Sequence, residues 1–211
     1  MSSVSNKTYY LWGEFTHAEY SLLNQLQQRV NDQFNGPDFK VHLTLSGPFH
    51  ELNERILGGL EDLAVTNDSI DMRTNGYGVE DNIFQSFYIQ IKLSDELLRL
   101  KRKLDDFLKI DSKNFNPHIS LFYGMKELDL KNKLIKKLTS PPKAIGLDRI
   151  SIVSIQDDIE SWEVLYSYPL IRRKSANMNL GRPVEVYLSI KLISLILRAS
   201  SFALIAAPFS P

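Results

Sequence analysis

Residues 40–49, KVHLTLSGPF, and residues 115–124, FNPHISLFYG, decide how this 211-residue chain is read. Each holds a short alternation of the form His, apolar, hydroxyl, apolar, with proline and glycine close by. Side chains two apart in a β-strand share a face. His42, Thr44 and Ser46 are therefore expected to point one way, and Val41, Leu43 and Leu45 the other. His118 and Ser120 oppose Ile119 and Leu121 in the same manner. Each strand should bury an aliphatic stripe against helices and present an imidazole beside a hydroxyl on its other face, which is too polar to serve as core.

Outward from these strands the pattern alternates. TYYLWG reads as a strand, and Leu22, Leu23, Leu26, Val30 and Phe34 form one face of a helix that Gly36-Pro37 stops. Gly47-Pro48 should end the first histidine strand. Asn53 caps a second helix carrying Ile56, Leu57, Leu60 and Leu63, followed by strand-like residues 70–74 and 84–93 with Gly76 and Gly78 punctuating the gap. Ser94 caps a third helix with Leu97, Leu100, Leu104, Phe107 and Leu108, which leads through Pro117 into HISLFY. A Lys-rich helix over residues 128–138, the turn Pro141-Pro142, and strands over 150–155 and 162–168 complete the pass. A helix thus leads into a histidine strand twice, and this long-range echo is the informative feature.

The composition, 43% hydrophobic and 24% charged, is that of a folded domain rather than a disordered chain. Twenty-five basic residues balance twenty-five acidic ones, so no net field gathers nucleic acid or anionic membrane, and a phosphate must be recognised locally. The absence of cysteine excludes disulfides, thiolate metal sites and thiol nucleophiles, and suits a reducing compartment. The opening MSSVSNK has no apolar stretch, so a cytoplasmic location is expected. Residues 171–211 differ from the rest, with Arg172, Arg173, Lys174, Arg182, Lys191 and Arg198 against a single acid, Glu185. Lys191 and Arg198 break their apolar runs too often for a membrane span. This segment is either an amphipathic element, packed or touching a membrane, or a poorly ordered extension foreign to the fold. The catalytic unit is accordingly expected within residues 1–170.

Two imidazoles facing one cleft suit the opening of a phosphodiester. One ring can take a proton from water while the other gives one to the leaving oxygen, with no metal or cofactor required. Thr44 and Ser120 would donate hydrogen bonds to the non-bridging oxygens. His17 and His50 read as solvated surface groups, and Lys131, Lys133, Lys136 and Lys137 as a solvated helix face rather than an RNA track.

HLTLSGPF and HISLFYG resemble the paired His-x-Thr/Ser-x signatures of the 2H phosphoesterase superfamily. YYLWG, FNGPDFKVH, IFQSFYIQI, FNPHISLFYG and the closing LDRISIV and SWEVLYSYPL resemble, in order and spacing, cyclic phosphodiesterases of plant and yeast type that act on ADP-ribose 1″,2″-cyclic phosphate. The resemblance covers roughly residues 8–170. It implies an α+β, bilobal fold, with two pseudo-symmetric antiparallel sheets and outer helices around a central cleft. It also implies His42 and His118 as the acid/base pair, Thr44 and Ser120 as phosphate ligands, and a small cyclic phosphate as substrate, nucleoside 2′,3′-cyclic phosphates being opened to 2′-phosphates. His118 is favoured as base and His42 as acid, although the sequence does not distinguish them. Trp12, Phe84 and Tyr123 match positions where the family places aromatic groups near the nucleoside, and core packing is the alternative for each. Strict alternation puts Tyr123 on the buried face, so a twist or bulge after Phe122 is needed to bring it into the cleft. Two rivals stay open: an RNA-end processing or 2′,5′-ligase-type enzyme of the same superfamily, and a non-catalytic module that binds cyclic nucleotides. The sequence says nothing about oligomeric state.

Overall fold

The computed structural model describes residues 7–111 and 114–172. Most of the extension that begins at residue 171 lies outside the described residues. Seven strands and four helices occur in the order β1 (Thr8–Phe15), α1 (His17–Phe34), β2 (Leu43–Phe49), α2 (Glu54–Thr66), β3 (Ile70–Val79), β4 (Phe87–Ile91), α3 (Asp95–Leu108), β5 (His118–Phe122), α4 (Leu128–Ile135), β6 (Ala144–Ile155) and β7 (Glu163–Pro169). Among the described residues no helix is long and apolar enough to cross a membrane.

The α+β architecture is the expected one, and its strands are continuous. They pair antiparallel in the order β1-β2-β5-β4-β3-β6-β7, and β1 also pairs with β6, so six strands close into a ring with β7 on its flank. The two halves meet where β3 pairs with β6 and where Leu43 of β2 lies opposite Ile119 of β5. The helices lie outside and are exchanged between halves. The helix preceding the first histidine strand, α1, packs on β5, and the helix preceding the second, α3, packs on β2. The core between helices and sheet includes Leu23, Val30, Phe34, Leu43, Leu45, Leu97, Leu104, Ile119, Leu121 and Phe122.

The caps follow the local chemistry. Asn53 and Ser94 accept from the backbone N–H of Ile56 and Leu97, as anticipated, and Thr16 forms a capping box with Glu19. Glu19 also accepts from the Gly146 N–H, at 2.5 Å, which fastens the start of α1 to β6. Gly36 follows α1 because a Cβ there would fall 2.5 Å from the Phe122 ring. Close approach of β5, more than helix breaking, requires glycine at that point.

Several expectations are corrected. β2 does not end at Gly47-Pro48 but continues to Phe49, with Gly47 at φ +125. β3 runs through Gly76 and Gly78 to Val79, because Gly78 leaves room for the Tyr88 ring. Ser46 does not share the face of His42 and Thr44. Trp12 pairs with Thr44 but Leu11 with Ser46, so Leu45 is an extra residue that turns Ser46 over to the helix side. There Ser46 Oγ donates to Asp105 Oδ1 at 2.5 Å, and Lys101 Nζ donates to the same buried carboxylate. Lys131, expected on a solvated face with Lys133, Lys136 and Lys137, is fully buried, while the other three are exposed.

Asp105→Ala should destabilise the protein by about 3 kcal/mol in urea unfolding, because it removes the buried carboxylate that Ser46 and the Lys101 ammonium share. Ser46→Ala should cost about 2 kcal/mol, the worth of one hydrogen bond to a charged group.

Candidate functional site

The register of β2 against β5 assembles the site. With Leu43 opposite Ile119 in an antiparallel pair, the neighbouring positions set Thr44 beside His118 and His42 beside Ser120. Facing Cβ atoms in such pairs lie ~4.5–5.5 Å apart. The aliphatic partners, Leu43 and Ile119, are fully buried on the other side.

Both histidine strands then bulge at the same motif position. Leu45 is the extra residue in β2, and Leu121 is its counterpart in β5, where Tyr88 pairs with Ser120 but Phe87 with Phe122. The second bulge puts Phe122 into the core against Phe34 and frees Tyr123 to face the cleft, and it falls at Leu121, before Phe122, rather than after Phe122 as the alternation suggested. Gly124 follows at φ +139, where a side chain would be strained, and its N–H donates to the Ile83 carbonyl.

His42, Thr44, His118, Trp12, Phe84 and Tyr123 line one cavity of about 630 Å³, together with Tyr10, Asn82, Gln85, Ile155, Gln156, Asp157 and Trp162. That volume suits a small-molecule ligand. Ser120 is near but turned away: its hydroxyl donates to the Phe84 carbonyl at 3.3 Å, and it shares a hydrogen bond with Tyr123. His17 and His50 are exposed and outside the cavity.

The two imidazoles are held alike. His42 Nδ1 lies 2.7 Å from the Lys40 carbonyl and His118 Nδ1 lies 2.8 Å from the Asn116 carbonyl, each two residues back along the chain. A carbonyl can only accept, so Nδ1 carries the proton in both rings and Nε2 is left with its lone pair. Lys40 is itself fixed by an ion pair with Glu14 at 2.8 Å.

Their surroundings differ. His42 lies flat on Trp12, centroids 3.5 Å apart and planes 6° from parallel, with Phe39 and Trp162 edge-on to it. This aromatic box removes water, and burial, opposed by the Lys40 carbonyl and aided by the charges of His118 and Lys40, drives the His42 pKa down to about 3. His118 is half-buried, with Tyr88 edge-on at 5.2 Å and the Gln85 amide 3.4 Å from Nδ1. Burial lowers its pKa from 6.5 as well, against an opposing contribution from the Asn116 carbonyl. Burial pushes the Tyr123 phenol up to about 12, so it stays a neutral hydrogen-bonding group.

Sequence reading missed Trp162, Gln85, Asn82, Tyr10 and the Gln156-Asp157 pair. Trp162 follows a short turn, Ile159–Ser161, and reaches the cavity at the far end of β6, where it packs against Trp12 and Tyr123. No periodicity marks a loop residue of that kind. Among the described residues no group of three or more His, Asp or Glu side chains is arranged to hold a metal ion.

The family model of the 2′-5′ RNA ligase superfamily matches residues 15–159. No curated protein sequence matches the chain. Among solved structures, E. coli LigT in apo form aligns with a TM-score of 0.54 at 13% identity, over 78% of this chain and 97% of that one. E. coli LigT complexed with 3′-AMP aligns with a TM-score of 0.53 at 13% identity, over 79% and 99%. TT0787 of Thermus thermophilus gives 0.50 at 17% identity, over 77% and 97%. At such identities the likeness to these structures is one of fold.

Both imidazoles should be neutral at pH 7 in the empty protein, with His42 the last to protonate as pH falls in an NMR titration of the ring C–H signals. The unfolded chain takes up a proton near pH 6.5 that folded His42 refuses until about 3. Stability should therefore decline as pH falls through that window. Trp12→Ala admits water and should move the His42 midpoint up toward 6.5.

Proposed function

The chain belongs to the 2′-5′ RNA ligase superfamily, and we propose that within it the protein is a phosphoesterase that hydrolyses small cyclic phosphodiesters by a two-histidine route. Its substrates in this reading are nucleoside 2′,3′-cyclic phosphates, opened to 2′-phosphates, and ADP-ribose 1″,2″-cyclic phosphate. The catalytic unit is taken as residues 1–170. The observation that carries the reading is the pair of imidazoles on one cavity, each with Nδ1 tied to a backbone carbonyl and Nε2 left to exchange protons.

In the reaction, water attacks phosphorus while one Nε2 accepts its proton. The bond from phosphorus to the 3′ oxygen breaks, and the other imidazole, entering as the cation, gives that oxygen its proton. The product is a 2′-phosphomonoester beside a free 3′ hydroxyl. Thr44 and Ser120 donate to the non-bridging oxygens as charge grows on them. Ser120 must first leave the Phe84 carbonyl, which costs a bond that the phosphate replaces.

The pair needs one proton between them, and the dehydrated ring is the worse place for it. His42 is held nearer neutrality than His118. We therefore assign His42 as base and His118 as acid, the reverse of the assignment favoured from the sequence, while treating the two as a coupled pair.

The lining favours a small substrate over a polynucleotide. Among the described residues no Lys or Arg faces the cavity, and Asp157 is its acidic member. Lys133, Lys136 and Lys137 are exposed on or just beyond α4, away from this lining. Trp12, Phe84, Tyr123 and Trp162 offer faces on which a base can stack. The complex of E. coli LigT with 3′-AMP supports the same size of ligand on the shared fold.

Incubation with nucleoside 2′,3′-cyclic phosphate in EDTA should give the 2′-phosphate, identified by phosphorus NMR. His42→Ala and His118→Ala should each lower kcat/KM by about 10²–10⁴-fold, and full activity in either would overturn the mechanism. A diester whose leaving oxygen belongs to nitrophenolate needs no acid, so it should recover in His118→Ala and not in His42→Ala. Because the free-protein pKa of His118 lies below 6.5, kcat/KM should fall as pH rises above that value. A steep loss of binding with added salt would favour the RNA-processing alternative, and tight binding without turnover the non-catalytic one.

A further inference from the structure

Lys131 is a charged side chain in the wrong place for a solvated helix face. It lies on α4 with no exposed surface, and its ammonium points at the loop of residues 80–86 that joins β3 to β4. Nζ donates to the Glu80 carbonyl at 2.5 Å and to Ser86 Oγ at 3.2 Å. Glu80 and Ser86 are the two ends of the loop, and the Glu80 N–H donates to the Ser86 carbonyl. The cation therefore adds a side-chain clamp to a neck that this backbone bond and the Val79–Phe87 pair already join. Burying an ammonium is costly, and the nearby Glu80 and Asp81 carboxylates offset part of that cost.

The loop has little packing to hold it. Ile83 and Phe84 are exposed, Phe84 by 60%. Yet Asn82, Phe84 and Gln85 all line the cavity, and the Gln85 amide touches the edge of His118. Its other tethers include the Gly124 N–H to the Ile83 carbonyl, the Ser120 hydroxyl to the Phe84 carbonyl, the Tyr88 hydroxyl to Glu80 and the edge contact of Phe84 with Tyr123. The second of these is lost during the proposed reaction. A hydroxyl has one proton, so Ser120 cannot donate to Phe84 and to a phosphate oxygen together. The loop loses a tether at the moment that its side chains meet the substrate.

We propose that Lys131 is a positioning residue: its buried ammonium clamps the neck of the 80–86 loop and holds Phe84 and Gln85 at the cleft when Ser120 turns to the phosphate. Lys131 touches neither substrate nor reacting atoms, and it acts through the loop. The proposal rests on reading the cavity as a cyclic phosphodiesterase site.

Lys131→Met keeps the length of the side chain and removes the donor. It should lower kcat/KM for nucleoside 2′,3′-cyclic phosphate by roughly 10–100-fold, the scale of a misplacement near 1 Å. Amide exchange in residues 80–86 should quicken at least about tenfold while β1 and β6 stay protected. Ser86→Ala, which removes one partner and leaves the lysine, should act in the same direction and less strongly. Phe84→Ala should remove much of the effect, so that the double variant is little worse than Phe84→Ala alone. A merely structural role predicts additivity instead. It also predicts that Leu60→Ala, a cavity in the distant helix α2 with a matched loss of melting temperature, reduces kcat/KM equally. Either of those results would overturn the proposal, as would unchanged loop exchange in Lys131→Met. Should the native protein turn over no cyclic phosphate, the catalytic reading fails. The clamp is then decided by loop exchange and by calorimetric binding of nucleoside 2′-monophosphate, which Lys131→Met should weaken.

Discussion

One cross-strand contact, Leu43 of β2 against Ile119 of β5, organises everything that faces the cleft. Both side chains are fully buried, so the register is fixed by the core. A slip of one residue in either strand would turn that strand's polar face inward and its aliphatic face into water. Because the pair is antiparallel, the two motifs run past each other and each histidine lies opposite the hydroxyl-bearing residue of the other strand. A local sequence repeat becomes a two-fold site through a single pairing.

Two further devices keep that pairing in place. Each histidine strand carries an extra residue three positions after the histidine, Leu45 in one and Leu121 in the other. The bulge lets the strand give two polar positions to the cleft and then return consecutive residues to the core side. It also sends Ser46 to the Asp105–Lys101 network and Tyr123 to the cavity, two outcomes of the same geometry. The exchange of helices is the second device: α3 covers β2 and α1 covers β5, so neither half can be covered by its own helix alone. Phe34 on Phe122 and Ser46 on Asp105 are the contacts that interlock them.

The chemistry then depends on dehydration applied unequally. Equivalent carbonyls fix equivalent tautomers in the two rings, but Trp12, Phe39 and Trp162 wall in His42 while His118 has only partial cover. Two like groups with different hydration differ in readiness to hold a proton, which is what a division into acid and base requires. Stacking on Trp12 adds orientation by fixing the plane of the ring, and the Nδ1 contact with the Lys40 carbonyl decides which edge carries Nε2.

Much of this was legible in the residues. The alternation around His42 and His118 placed both strands, Asn53 and Ser94 announced their helices, and four histidines in 211 residues left few rivals for the pair. These features are local, and local backbone preference decides them. What could not be read was anything set by a neighbour distant in the chain. The strands β2 and β3 run through glycines that look like stops, because Tyr10 and Tyr88 from other strands need the space beside Gly47 and Gly78. Lys131 looks like its exposed neighbours in sequence, and its burial comes from segments distant in the chain, among them Glu80 and Ser86, to which it donates. Trp162 enters the cavity from a turn without periodicity. The sequence by itself determined which side chains could do chemistry and on which strands they lie. Tertiary structure alone decided the register that brings them together, the bulges that redirect Ser46 and Tyr123, and the water excluded from each ring, since all three arise from contacts between segments that the chain order keeps apart.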